Sequence, residues 1–289
     1  MKKVLVTGGS GFLGSHVIDM LVTEGYNVII IDINPPEFYH ASVEYVHCDL
    51  FKDSFPTSIL KDCSIIFHLA GFADLNAART SPIETVTNNI LVTTKLLKAA
   101  VENEIERFIF ASTVYVYSHQ GGFYKASKQA CEIYIEEFHK KYGLEFTILR
   151  YGSLYGPRSD ERNGIYKLLK QAVLNSKIDF YGSPDEKREY INIVDAARLS
   201  VQCIKQRYRN SHYIITGQQS ISAEELFTMF SEILNKKIQV NYRNEDHNSN
   251  SGHYKMTPYN YLPKVGEKLT SNISIDIGQG LIQLIQEIT

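Results

Sequence analysis

Tyr124 and Lys128 stand four residues apart in Tyr124-Lys125-Ala126-Ser127-Lys128, a spacing that sets both side chains on one face of a helix. An ammonium beside a phenol favours the phenolate, so the pair can exchange a proton with an alcohol hydroxyl near neutral pH. The spacing alone is not selective, because Tyr166 and Lys170 repeat it. Context separates the two. Tyr124 follows Ser112-Thr113 by eleven residues, and these small hydroxyls close an apolar strand. Thr113 is therefore a candidate partner for Tyr124, whereas Tyr166 and Lys170 read as the surface of a later helix.

A second constellation lies at Thr7-Gly8-Gly9-Ser10-Gly11-Phe12-Leu13-Gly14. A glycine pattern of this kind is weak by itself, but here it follows the strand Lys3–Thr7 and opens an apolar-periodic helix. Gly8 permits the tight turn, Gly11 lets backbone N–H groups approach a pyrophosphate, and Gly14 allows close helix–strand packing. The helix N-terminus offers unpaired N–H groups and the positive end of its dipole. Asp32 ends the second strand 18 residues beyond Gly14, where a carboxylate accepts hydrogen bonds from adenosine ribose hydroxyls and repels a 2′-phosphate. NAD rather than NADP is the expected cofactor.

These residues need a scaffold, and the first 150 residues supply its pattern. Candidate strands at Lys3–Thr7, Asn27–Asp32, Val43–His47, Ser64–His68, Arg107–Ala111 and Glu145–Arg150 alternate with helices at Phe12–Glu24, Pro82–Glu102 and Lys125–Tyr142. Near-continuous apolar strands fit a parallel sheet with helices on both faces. Ser81 and Pro82 read as a helix start, and Gly25 and Gly143 as helix ends. The expected fold is an α/β Rossmann doubly wound parallel sheet with a smaller C-terminal α+β substrate-binding portion. The domains are expected at 1–152 and 153–289, the first regaining a strand or helix from about 190–206. In the second part a helix is expected at Asn163–Asn175, a short strand near Ile178–Tyr181 and a helix from Asp195. The polar stretch Asn244–Gly252 reads as a mobile loop, or as one that closes over a ligand.

Composition narrows the classes. With 44% hydrophobic and 21% charged residues and a net charge of -2, the chain has the balance of a globular domain and no basic surplus for nucleic acid. The apolar run after Lys2-Lys3 breaks too early for a secretory leader, and no stretch reaches the ~18–20 apolar residues of a membrane span. A cytoplasmic protein is expected. Cys48, Cys63, Cys131 and Cys203 show no C-x-x-C spacing and read as reduced thiols; no metal is expected.

Taken together, Thr7–Gly14, Asp32, Asp49-Leu50, His68–Gly71, Asn89 with Thr93, Ala111–Tyr117, Tyr124–Lys128, Arg150–Arg158 and Arg188–Asp195 resemble, over nearly the whole chain, the extended short-chain dehydrogenases/reductases. Within them the chain is similar to the NAD-dependent nucleotide-sugar epimerase/dehydratase family. The resemblance implies that Tyr124 is the acid/base, that Lys128 binds nicotinamide ribose and lowers the Tyr124 pKa, and that Thr113 is the catalytic hydroxyl. It implies cofactor contacts at Gly8, Ser10, Gly11, Phe12, Leu13, Gly14 and Asp32. Further cofactor contacts follow at Asp49, Leu50, Leu69, Ala70, Gly71, Asn89, Lys128 and Tyr151. Asp49 reads equally well as a solvated loop residue. A nucleotide-diphosphate sugar would meet Ser112, Thr113, Tyr124, Ser153, Arg158 and Arg188, with Arg188 on the diphosphate.

The sequence also departs from the family pattern. The stretch from Tyr117-Ser118 to Tyr124 is short, Ser118 replaces a glycine, Val92 replaces a helix glycine and Ser153 replaces an asparagine. A reshaped or more open sugar pocket is expected. Ser112-Thr113-Val114 lacks the Asp-Glu pair of 4,6-dehydratases, which leaves a 4-epimerase as the leading expectation. The alternatives are a 4-dehydrogenase or keto-sugar reductase and, from another class, a non-catalytic NAD-binding regulator. The resemblance also implies a homodimer, with Ile90–Glu102 and Lys125–Tyr142 pairing across a two-fold axis.

Overall fold

The computed structural model describes residues 2–38, 40–52 and 55–243; Asn244–Gly252 lies outside them. Its first half runs β1 (Lys3–Thr7), α1 (Phe12–Thr23), β2 (Asn27–Asp32), β3 (Glu44–His47), β4 (Cys63–His68) and a short α2 (Leu75–Ala78). It continues through α3 (Pro82–Thr85), a π-helical segment (Val86–Leu91), α4 (Val92–Glu102), β5 (Arg107–Thr113), a 3₁₀ turn (Val114–Tyr117), α5 (Gly122–Tyr142) and β6 (Phe146–Tyr151). Then follow β7 (Ser153–Tyr155), α6 (Gly164–Asn175), β8 (Lys177–Tyr181), β9 (Lys187–Asn192), α7 (Ile193–Gln202), β10 (Ser211–Ile215), β11 (Ser220–Ser222), α8 (Ala223–Ile233) and β12 (Gln239–Arg243).

Seven parallel strands form the main sheet in the order β10-β6-β5-β4-β1-β2-β3. Alternation along each strand feeds two apolar layers. Phe108, Phe110 and Ile148 point to one side, onto Leu96, Leu97, Cys131 and Ile135 of α4 and α5. Ile109, Leu149 and Val6 point to the other, onto Val17, Leu21, Ala196 and Ala197 of α1 and α7. Burial on both faces explains why these strands read as unbroken apolar runs. The chain proceeds outward from β1 to β3, then returns to β4 on the other side of β1. That reversal opens a crevice at the C-terminal ends of β1 and β4, the ligand position of open α/β sheets.

Three departures from the periodicity stand out. The helix expected over Pro82–Glu102 is divided, with one wide turn at Val86–Leu91. Ser81 makes no side-chain cap, its backbone (ψ 62°) lying outside the extended region that presents a capping hydroxyl. Helix α5 begins at Gly122 rather than Lys125, and Gly143 ends it with φ +74° and an N–H bonded to the His139 carbonyl.

Beyond β6 the strands β11-β9-β7 form a three-stranded sheet and β12-β8 a parallel pair. Their apolar centre joins Ala172, Ile178, Leu226, Phe227 and Phe230. Helix α7 and strand β10 return to the main sheet, β10 pairing in parallel with β6. Among the described residues no helix is long and apolar enough to cross a membrane.

His68, the last residue of β4, ties the layers together. Its Nδ1 meets the Thr7 hydroxyl at 2.7 Å and its Nε2 the Thr93 hydroxyl at 2.9 Å. Full burial, reinforced by the Lys128 charge, holds its pKa at about 3. A group kept neutral in the fold but protonated when unfolded withdraws stability as pH falls below its unfolded value of 6.5. Unfolding free energy should therefore decline by about 1.4 kcal/mol per pH unit between roughly 6.5 and 3. Urea unfolding across that range should show the slope in the wild type and a shallower one in His68→Gln.

Candidate active site

The crevice is lined first by the turn after β1. Gly8 has φ +73°, and a Cβ there would lie 2.6 Å from the Ala70 nitrogen; a Cβ on Gly14 would lie 2.1 Å from the Gly8 carbonyl oxygen. Glycine is required at both. The Gly8 N–H bonds to the Ile31 carbonyl, and the Leu69 N–H to the Thr7 carbonyl, so the turn is pinned to β2 and β4. Gly11 caps α1 without a side-chain bond, which leaves the first-turn N–H groups to an anion. Asp32 accepts from the Ser10 N–H at 3.1 Å and the Asn34 N–H at 3.0 Å, and the Ser10 hydroxyl reaches the Asn34 carbonyl at 2.7 Å. The carboxylate is thereby held at the rim of the glycine turn. This cradle fits the adenosine diphosphate half of a dinucleotide.

Across the crevice, α5 lies along the end of β5. The Thr113 hydroxyl hydrogen-bonds the Tyr124 phenol and also accepts the Tyr115 N–H at 3.3 Å. Tyr115 packs edge-on against Tyr124, with ring centroids 6.5 Å apart. Lys128 is buried and donates to the Ala111 carbonyl at 2.8 Å; its Nζ sits 4.7 Å above the Phe110 ring and 5.9 Å from the Tyr124 ring centre. Asn89, on the π-helical turn, accepts the Phe72 N–H at 2.7 Å and donates to the Ser127 hydroxyl at 2.8 Å. A Cβ on Gly71 would meet Asn89 Oδ1 at 2.9 Å and Lys128 Nζ at 3.5 Å. Thr113, Tyr124, Lys128, Asn89 and Gly71 therefore converge.

The electrostatics differ from the sequence-based picture. Burial pushes the Tyr124 phenol up to about 12, against the opposing pull of its Thr113 hydrogen bond. Burial also lowers Lys128, with Cys131 and Glu132 working against it. Lys128 donates to a backbone carbonyl rather than to the phenol.

Other expected site residues take different partners. Ser112, paired in register with Arg150, donates to Glu132 at 2.5 Å inside the α5 layer. Tyr151 points to the opposite layer, where its phenol meets the Ser200 hydroxyl at 2.6 Å and burial raises its pKa well above the usual value. Leu50 is core, packed with Leu5, Ile29 and Ile66. Asp49 accepts the Phe51 and Lys52 N–H groups and pairs with Lys52, closing its own loop. Arg158 pairs with Asp19 at 2.8 Å and stacks 3.9 Å over Phe38, at the α1 side of the crevice. Partly buried Arg188 pairs with Glu186, with Tyr115 and Tyr190 near its charge. Ser153 begins β7 opposite Tyr190. Phe12 packs on His16, and Leu13, Leu69 and Ala70 support the turn from the two apolar layers. Tyr166 and Lys170 lie on α6, where Lys170 pairs with Glu161 at the surface.

Residues 4–216 match the NAD dependent epimerase/dehydratase family, and the chain belongs to it. A putative UDP-glucose 4-epimerase of Methanocaldococcus jannaschii is 26% identical over 269 residues, 84% of each chain. The structure of UDP-N-acetylglucosamine 4-epimerase from Methanobrevibacter ruminantium M1, in complex with UDP-N-acetylmuramic acid, superposes with a TM-score of 0.80 at 30% identity, covering 90% of this chain and 89% of that one. The UDP-glucuronic acid 4-epimerase of Bacillus cereus, in complex with UDP-glucuronic acid and NAD, gives 0.79 at 26% identity, covering 91% and 95%.

Tyrosinate absorbance gives a direct check on the phenol. The difference between wild type and Tyr124→Phe should show a group titrating near 12 in the NAD-free protein. Adding oxidised NAD should move that titration to lower pH, because a nearby positive charge favours the phenolate.

Proposed function

We propose that this chain is an NAD-dependent nucleotide-sugar 4-epimerase. The observation that carries the reading is the Thr113–Tyr124 hydrogen bond with Lys128 buried behind it, facing the glycine turn across one crevice. Gly8–Gly14 and Asp32 would hold the adenosine diphosphate of NAD, with Lys128 and Asn89 towards the other end. Bound NAD supplies the acceptor and then the donor of the C4 hydride, and its oxidised form places positive charge near the phenol. Tyr124, as the phenolate that the positive charge favours, takes the proton from the C4 hydroxyl, while Thr113 holds the same oxygen. The 4-keto sugar turns in the pocket, and Tyr124 returns the proton once the opposite face is presented. A placed base of this kind is worth about 10²–10⁴-fold, and positioning supplies much of the remainder. Elimination of water is disfavoured: Ser112 and Val114 flank Thr113 where an acid and a base would be needed, Ser112 being tied to Glu132 and Val114 buried.

The nucleotide-sugar part of the site falls to Thr113, Tyr124, Ser153 and Arg188. Arg188 would exchange some of its contact with Glu186 for a diphosphate oxygen. We divide the chain into a cofactor domain of 1–152 with α7 and β10, and a sugar-nucleotide domain over the remainder. Four reduced, buried cysteines fit a cytoplasmic setting.

With a panel of UDP-, GDP- and dTDP-sugars, one C4 pair should interconvert without net NADH change. Stoichiometric NADH formation or consumption would mean a dehydrogenase or reductase instead. Tyr124→Phe should lower kcat by about 10²–10⁴-fold while NAD is retained.

The reading includes a homodimer through α4 and α5. Ile83, Leu91, Ile133 and Tyr134 stand exposed on the neighbouring helices of this flank, an apolar surface suited to a second copy. Light scattering at micromolar concentration should give twice the chain mass, and Ile133→Glu should shift it towards the monomer.

A further inference from the structure

The face of α5 that carries Tyr124 and Lys128 continues to Glu132, again four residues on. Each of the three holds the end of β5: Tyr124 at the Thr113 hydroxyl, Lys128 at the Ala111 carbonyl, and Glu132 at the Ser112 hydroxyl. Glu132 is buried, and Arg150 of β6 meets it with two parallel bonds, Nε at 3.0 Å and Nη2 at 2.6 Å. The register pairing Ser112 with Arg150 puts both donors on the same carboxylate. Arg150 then extends through Nη1 to the Tyr117 hydroxyl, with its guanidinium 4.8 Å over that ring. Tyr117 ends the turn after Thr113, and the short loop to α5 starts there. One ion pair thus fastens the β5 terminus, the α5 face and the root of the loop.

We infer that Glu132 and Arg150 are positioning residues for the C4 reaction: Glu132 presents a carboxylate one helical turn from Lys128 while holding the end of β5, and Arg150 sets Tyr117 and the loop that borders the sugar. The inference rests on the Tyr124/Lys128 reading above. Lys128 is faced by Tyr124, Cys131 and Glu132 from its own helix, by His68 from β4, and by uncharged Asn89, Phe110 and Ala111. Tyr124 and His68 are held neutral, and burial raises the Cys131 thiol. The carboxylate facing the ammonium from its own helix is therefore that of Glu132, and Arg150 binds both of its oxygens. An arginine suits the position because its planar fork binds both carboxylate oxygens while a third nitrogen reaches onward.

Lys128 can be followed without any sugar, by NMR of isotope-labelled lysine side chains in the NAD-bound protein, with Lys128→Arg giving the assignment. Glu132→Gln should move the Lys128 titration to lower pH, and the alkaline limb of kcat should move the same way. Arg150→Lys keeps the charge but loses the fork and the Tyr117 bond. It should leave the Lys128 titration in place and raise KM for the turned-over nucleotide sugar on the order of tenfold, with kcat less affected. If Glu132→Gln does not fold, the double variant Glu132→Gln/Arg150→Met leaves no orphan charge and should show the same Lys128 movement. An unmoved Lys128 titration in the folded carboxylate variant overturns the role of Glu132, and an unchanged KM in Arg150→Lys overturns that of Arg150. Failure to turn over any sugar would count against the epimerase reading alone, since the Lys128 titration is read without substrate.

Discussion

A desolvated ammonium is the constraint around which this molecule is arranged. Removing a charge from water is expensive unless the interior offers compensating partners. Lys128 has the Ala111 carbonyl, the Phe110 ring face and the field of Glu132. Each partner fixes something else. The carbonyl bond sets the height of α5 on β5, and the ring contact sets its distance from the sheet. The carboxylate requires a guanidinium on the next strand. Tyr124 and Thr113 meet where these contacts seat the helix.

The sheet explains why the cofactor cradle lies opposite that helix. In a parallel sheet the C-terminal ends of the strands share one edge, and the reversal of strand order parts the connections between β1 and β4. Thr7, Asp32, His68 and Thr113 all end their strands there. His68 bridges Thr7 and Thr93, so the glycine turn and the helix layer carrying Lys128 are joined by one buried ring. The glycine turn and the Thr113–Tyr124–Lys128 cluster are held by a common frame rather than by separate loops.

Much of this frame was legible in the sequence. Strands β1 and β2 fall where their apolar runs predict, because burial on both faces leaves no polar position to blur the ends. Strand β10, Ser-His-Tyr-Ile-Ile, carries no comparable signal: at the sheet edge it is short and only partly buried, and long-range pairing with β6 makes it a strand. The wide turn in Val86–Leu91 has no local signature either. It is selected by Asn89 reaching the Phe72 backbone, a contact distant in sequence. That Thr113, Tyr124 and Lys128 come together was legible, because helical spacing and a strand end suffice to place them. The contacts of Ser112, Tyr151 and Arg158 were not, because which layer a residue faces depends on neighbours that spacing does not name. Glu132 was accessible in principle as the next member of the four-residue series, but a glutamate on a helix ordinarily belongs to solvent.

The joint between the 3₁₀ turn and α5 separates two properties that enzymes often entangle. Thr113 is fixed by the sheet and Tyr124 by its helix, while Ser118 to Gly121 merely span the gap, tied by the Lys125 ammonium on the Ser118 carbonyl. Gly121, at φ +95°, lets the chain turn directly into the helix. Closing a longer span costs only about 0.6 kcal/mol per doubling of length. The joint is thus a place where length and composition can drift without moving Thr113 or Tyr124. Such a hinge separates the placing of the hydroxyl and the phenol from the shape of the rim around them.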